Sequence, residues 1–180
     1  AMKEAGSEKR SVAVINTDDN YGQRMKKEIG DRLSVWTYGM NVHCDFKISG
    51  IRQTFKGTSF KLDVRGKSYL VQVPLIGKFN VYNVVSAITA CAAAGMKVRD
   101  AVKSLAEAPQ VPGRMENVGI ANGMCVFVDY AHTPDALKNA CATLRELEPR
   151  NLFTVFGCGG DRDKAKRPLM GEAASENSAV

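Results

Sequence analysis

Apolar residues in this chain fall into short runs and helical repeats, separated by polar, glycine-rich or proline-rich breaks. Ser11 to Ile15 is one such run, β-branched at Val12, Val14 and Ile15, and it ends in Asn16-Thr-Asp-Asp-Asn20. That pattern predicts a buried strand followed by a polar loop. From Tyr21 to Leu33 the apolar Met25, Ile29 and Leu33 recur every four positions, which predicts a helix. Ser34 to Gly39 predicts a second strand. Phe55 to Val64 partly alternates, Arg65-Gly66-Lys67 supplies turn chemistry, and Ser68 to Val73 runs back. An antiparallel hairpin with one exposed face follows.

Pro74-Leu-Ile-Gly-Lys78 leads into an alanine-rich helix expected from Phe79 to Ala94 and closed by Gly95. Its small residues (Ala87, Ala90, Ala92, Ala93, Ala94) suit close packing against a sheet. A shorter helix is expected from Val98 to Ala108, and Pro109-Gln-Val-Pro-Gly113 is the best linker candidate. Beyond it the rhythm becomes β-α-β-α: a strand at Met124 to Asp129, a helix at Pro134 to Leu147, a strand at Asn151 to Phe156 and a helix from Arg167 to Glu176. Such alternation predicts parallel βαβ units of a doubly wound α/β sheet. Only two such units are present, so an exposed edge and apolar surface, favouring association or disorder, are expected near the C-terminus.

Composition narrows the class. Hydrophobic residues make up 44% of the 180 residues, an ordinary globular value. No apolar run approaches the roughly 20 residues needed to span a bilayer, and Ala1 to Arg10 lacks the apolar middle of a signal peptide. A cytoplasmic protein with no membrane partner is expected. The formal charge of +6 is spread among acidic residues, without a basic block interleaved with aromatics, so nucleic acid is excluded as an expected partner. The five cysteines show no metal-ligand spacing, and four of them sit among apolar or small neighbours as small hydrophobes. Cys158, in a glycine loop, is either a reactive thiol or a bystander of a tight turn.

Candidate chemistry gathers at strand ends. In open α/β folds ligands bind beyond the carboxyl ends of strands. Asp129 stands at such an end, where a carboxylate can accept hydrogen bonds from the vicinal hydroxyls of a ribose. His132 can stack on or bond to a ring. Thr133 and Pro134 form a strong helix start, Thr as N-cap and Pro at the first position. Asp129 and His132 either serve a ligand or shape that turn. The loop Gly157-Cys-Gly-Gly160 lacks the Gly-Lys-[Ser/Thr] ending of a P-loop. Asp161-Arg-Asp-Lys-Ala-Lys-Arg167 follows it, and Arg162 there can clamp a carboxylate bidentately or sit in a solvated loop. Asn80 and Asn83, three apart, share a helix face, and an amide matches an adenine edge; Asn80 can equally cap the helix. Arg114, just after the linker, can reach phosphates or be an ordinary surface residue.

Read in order, Val14 to Gly22, Leu75-Ile-Gly-Lys-Phe-Asn-Val-Tyr-Asn83, Gly113-Arg-Met-Glu116, Val128-Asp-Tyr-Ala-His-Thr-Pro-Asp-Ala-Leu137, Val155-Phe-Gly-Cys-Gly-Gly-Asp-Arg-Asp-Lys164 and Lys166 to Gly171 resemble the Mur ligase family. Within it the likeness is strongest to members that add the third residue, diaminopimelate or lysine, to UDP-MurNAc-L-Ala-D-Glu using ATP and Mg2+. The resemblance implies residues 1–112 as the C-terminal part of a P-loop-type central ATPase domain with a β-hairpin subregion. It implies residues 113–180 as the start of a Rossmann-like α/β C-terminal domain. By the same resemblance Asn80 and Asn83 face adenine, Asp129 and His132 the ribose and base, Arg114 reaches the nucleotide, and Arg162 holds the amino-acid carboxylate. The family's P-loop, metal ligands and carbamylated lysine are expected before this segment and its Asp-Asn-Pro-Arg motif after it, so the segment alone is expected to be inactive. A folylpolyglutamate synthase-like ligase and a non-catalytic nucleotide-binding module are the competing expectations.

Overall fold

The computed structural model describes residues 11–160 and 163–178. Two compact units make up the chain, one of Ala1–Ile51, Ser59–Gln72 and Tyr82–Glu107, the other of Arg52–Thr58, Val73–Val81 and Ala108–Val180.

Strands β1 (Val12–Asn16) and β2 (Ser34–Gly39) lie side by side in parallel, from Val12 opposite Ser34 to Asn16 opposite Tyr38. Parallel neighbours need a crossover, supplied by α1 (Asn20–Ile29) and a 3₁₀ turn at Gly30–Arg32. The Asp19 side chain caps α1 by accepting the Gly22 N–H at 3.0 Å. Glycine is required at 22, because a Cβ there would lie 1.8 Å from the Asn16 carbonyl oxygen. The α-helix ends earlier than its apolar repeat predicts, since Gly30 at φ +52 stops it.

Strand β3 (Phe46–Thr54) joins β2 in parallel, and β4 (Gly57–Val64) and β5 (Lys67–Val73) complete a sheet of order β1-β2-β3-β4-β5. Two-residue links join β3 to β4 and β4 to β5, too short for a crossover, so these strands reverse direction and the sheet is mixed. The β4–β5 turn sits where expected, with Arg65 at φ 48 and Gly66 at φ 80, the left-handed pair of a tight hairpin. On β4, Thr58, Phe60, Leu62 and Val64 are buried and their neighbours are not, the one-sided face that alternation predicts. β3 itself was not predicted.

Helices α2 (Lys78–Ala93) and α3 (Val98–Ala106) follow closely the expected spans. The buried stripe of α2 is not the alanine set, however. Val81, Val84, Val85, Ile88 and Thr89 are buried, whereas Ala90 and Ala94 are exposed. Larger β-branched side chains remove more apolar surface from water, so they take the inward face.

The second unit departs further from expectation. Strands β6 (Glu116–Ala121) and β7 (Met124–Val128) form an antiparallel pair with a register shift between Asn117 and Gly119. Helices α4 (Pro134–Arg145) and α5 (Lys166–Ser175) bury Leu137, Cys141, Met170 and Ala174 together, with Leu152 and Cys158 packed at the margin. The expected parallel βαβ pairing is therefore corrected: β7 bonds to β6, and residues 151–156 join no ladder among the described residues. An apolar run becomes a strand only when a neighbour satisfies its backbone groups, and here Phe153 and Val155 are 72% and 100% exposed.

Candidate functional site

The carboxyl end of β7 assembles three of the sequence-selected residues around one aromatic ring. Asp129 accepts the Met115 N–H at 2.8 Å through Oδ2, while the Tyr130 N–H donates to the Gly113 carbonyl at 2.8 Å. These bonds fold the segment after the linker back against the strand end. Its tight course needs left-handed backbone at Gly113 (φ +67) and at Met115 (φ 46), whose side chain is buried. The Glu116 carboxylate accepts the Gly113 N–H at 2.7 Å and braces the turn. The Arg114 guanidinium then lies 5.6 Å from the centre of the Tyr130 ring, a cation–π contact. On the same ring His132 packs edge-on at 5.5 Å, with Nδ1 3.1 Å from the Tyr130 carbonyl oxygen.

Directly beyond His132 the predicted helix start is present. Thr133 accepts the Ala136 N–H at 3.2 Å and Pro134 opens α4. A cleft of about 440 Å³ runs from Met115, Asp129 and His132 toward Leu152 and Thr154, a size that accepts a small ligand. The Lys166 ammonium donates to the His132 carbonyl at 3.4 Å, and Arg167 to the Gly160 carbonyl at 3.0 Å. A carboxylate, an imidazole and two cations, Arg114 and Lys166, thus converge on one strand end and one helix start. Tyr130, 68% exposed, is the centre of the group and was not selected from sequence; its place inside Asp-Tyr-Ala-His was the available signal.

Asn80 and Asn83 lie near the start of α2, Asn80 half-buried and Asn83 exposed. The Asn80 amide donates to the Ile76 carbonyl at 2.8 Å, so it ties the entry loop to the helix. Arg162 lies outside the described residues, and so does Asp161. Cys158 is half-buried and packs on the α4–α5 cluster, and all five cysteines are free thiols. Cys44 departs from the expected apolar role: its Sγ donates to the Asn41 carbonyl at 2.8 Å. Burial, then the nearby Asp18 charge, raises its thiol pKa.

A second polar centre, at the ends of β1 and β2, escaped the sequence reading. Asp18 accepts the Met40 N–H at 2.6 Å, the Asn41 N–H at 3.1 Å and the Tyr82 hydroxyl at 2.8 Å. Burial, and then the Asp18 carboxylate, push the Tyr82 phenol up to about 12. Its only sequence signal was a pair of aspartates in the loop after β1.

Comparison with known proteins adds the family. The Mur ligase middle domain matches residues 4–91, and the domain described as Mur ligase, glutamate ligase domain matches residues 113–180. Over 174 residues the chain is 44% identical to the UDP-N-acetylmuramoyl-L-alanyl-D-glutamate--2,6-diaminopimelate ligase of Solibacter usitatus, covering 97% of this chain and 35% of that protein. A solved structure of a ligase with the same name superposes with a TM-score of 0.72 at 37% identity, covering 93% of this chain and 35% of that one. Folylpolyglutamate synthetase from Lactobacillus casei superposes with a TM-score of 0.69 at 17% identity, covering 93% and 41%, a likeness of fold alone. The chain spans about a third of the length of the curated relatives it matches. With two successive domains matched in order over 4–91 and 113–180, and with its mixed α/β fold shared by a solved relative, the chain belongs to the Mur ligase family.

Proposed function

We propose that the chain is the nucleoside-holding segment of a cytoplasmic, ATP-dependent ligase that joins diaminopimelate or lysine to UDP-MurNAc-L-Ala-D-Glu in peptidoglycan synthesis. Residues 1–112 are then the end of a P-loop-type central ATPase domain, and residues 113–180 the opening of a Rossmann-like C-terminal domain. The names of the relatives support this reading, and one observation carries it. Asp129, Arg114 and His132 are gathered at a strand end around Tyr130, with Asp129 already oriented by the Met115 N–H.

The chemistry asks little of this segment beyond placement. In the full reaction the γ-phosphoryl group of ATP passes to the dipeptide's terminal carboxylate, releasing ADP. The amine of the incoming residue then attacks the acyl phosphate and phosphate leaves. Holding these groups in line lowers the entropic part of the barrier. Asp129 Oδ1, unlike Oδ2, has no hydrogen-bond partner among the described residues and is suited to accept from a ribose hydroxyl. His132 meets the sugar and base, and the amides of Asn80 and Asn83 match the adenine edge. Arg114, held on Tyr130, presents its N–H groups to phosphate. Arg162 takes the carboxylate of the incoming amino acid. Magnesium would neutralise phosphate charge from ligands elsewhere in the parent protein; among the described residues no group of three or more His, Cys, Asp or Glu is placed to hold a metal.

The full-length parent should release phosphate from ATP only when UDP-MurNAc-dipeptide and diaminopimelate or lysine are both present. The 180-residue chain alone should release none. Glutamate addition to a folate by the parent, with no turnover of the muramoyl dipeptide, would reassign the activity.

A further inference from the structure

We infer that Asp18 and Tyr82 are positioning residues for the nucleotide: their hydrogen bond fixes the opening turns of α2 so that Asn80 and Asn83 present their amides to the base. This rests on the reading that the start of α2 meets adenine. Nothing in the proposed chemistry uses a phenol or a carboxylate at these positions, yet the two are joined at 2.8 Å across 64 residues of sequence.

The geometry is built rather than incidental. Backbone N–H groups of Met40 and Asn41 hold the Asp18 carboxylate at 2.6 and 3.1 Å. A Cβ at Gly39 would lie 2.7 Å from that carboxylate, so this approach requires glycine there. One carboxylate thus links the ends of two adjacent parallel strands, the edge where α/β sheets take ligands, to the helix carrying the amide pair. Tyr82 precedes Asn83 by one residue and so points roughly 100° round the helix from it. Its bond to Asp18 therefore grips α2 from a side other than the one that carries the amide pair. In this bond the neutral phenol donates and the Asp18 carboxylate accepts.

The test is AMP binding to the 180-residue chain, followed by amide chemical shifts, with three single variants, the Tyr82–Asp18 double variant and Asn83→Ala as the reference for base contact. Tyr82→Phe and Asp18→Asn should each weaken AMP about fivefold, and the double variant no more than either alone, the signature of one shared interaction. Thr37→Val removes a comparable 2.8 Å bond to Asp45 in the same unit; it should lower the unfolding midpoint and leave AMP affinity unchanged. Wild-type AMP binding that depends on Asn83 but is indifferent to Tyr82→Phe and Asp18→Asn overturns the positioning role alone. A wild-type chain that does not bind AMP overturns the nucleotide reading, and the positioning role with it. Equal losses in all three variants mean general loosening, which also overturns it.

Discussion

The two compact units differ in how they treat apolar surface. In the first, alternate residues of the mixed sheet point into a closed interior: Phe60, Leu62 and Val71 are at most 1% exposed, as are Val85 and Ile88 of α2. In the second, Val73, Ile76, Val81 and Met115 are buried as well as Leu137, Cys141, Met170, Ala173 and Ala174, yet Ile120, Met124, Phe153 and Val155 are more than half exposed. The difference is one of ladder closure. β4 has a strand on each side, whereas β7 pairs with β6 and residues 151–156 pair with nothing among the described residues. The candidate nucleoside cluster sits in the loosely closed unit, held by local bonds around Asp129 rather than by a deep core. Sites that must admit a ligand are often drawn from less stable regions.

This contrast can be broken by truncation. Leu62→Ala should cost about 3–4 kcal/mol in chemical denaturation, and Met170→Ala about 2 kcal/mol, because both leave cavities. Phe153→Ala should stay within about 0.5 kcal/mol, as expected for an exposed side chain. A large loss at Phe153 would mean the strip is covered in solution. Next in size is self-association: the exposed strip should make the isolated chain concentration-dependent in sedimentation, and Val155→Lys should shift it toward monomer.

A smaller effect is set by pH in the first unit. Burial and the Asp18 carboxylate push the Tyr82 phenol of the folded chain up to about 12, from the ordinary phenol value of 10.0. A raised folded pKa means the folded state keeps its proton where the unfolded chain has lost it. The contribution is therefore full below pH 10 and is lost as pH rises toward 12. The unfolding midpoint should fall over that window in the wild type and fall less in Tyr82→Phe. Equal slopes would show that Tyr82 gains no partner on folding.

Much of this was legible where the signal is local. The β1 and β2 runs, the Arg65-Gly66 turn and the Thr133-Pro134 helix start each depend on neighbouring residues alone, and each lies where expected. Strand β3 was hidden because Gly50, at φ +60, breaks the alternation that begins at Phe46 and Ile48. Strand β6 is masked in the sequence by its register shift, although Asn122-Gly123, at φ 51 and 78, carries a strong hairpin signal. The run at 151–156 misled in the opposite direction, because apolarity predicts burial but cannot supply a ladder partner. At the site, Asp129 and His132 were readable from the strand end and the helix start. The Arg114–Tyr130 stack and the Asp18–Tyr82 bond join residues far apart in sequence, and no pattern along the chain encodes them.

The central claim is that this segment of a Mur ligase holds the nucleoside end of ATP. Amide chemical-shift mapping with AMP on the 180-residue chain tests it most directly. The account predicts saturable shifts at Arg114, Asp129, Tyr130, His132 and Asn83, abolished by Asp129→Ala and absent with ribose-free adenine at Asp129. Saturable shifts confined to other surfaces, or none at millimolar AMP, would contradict it.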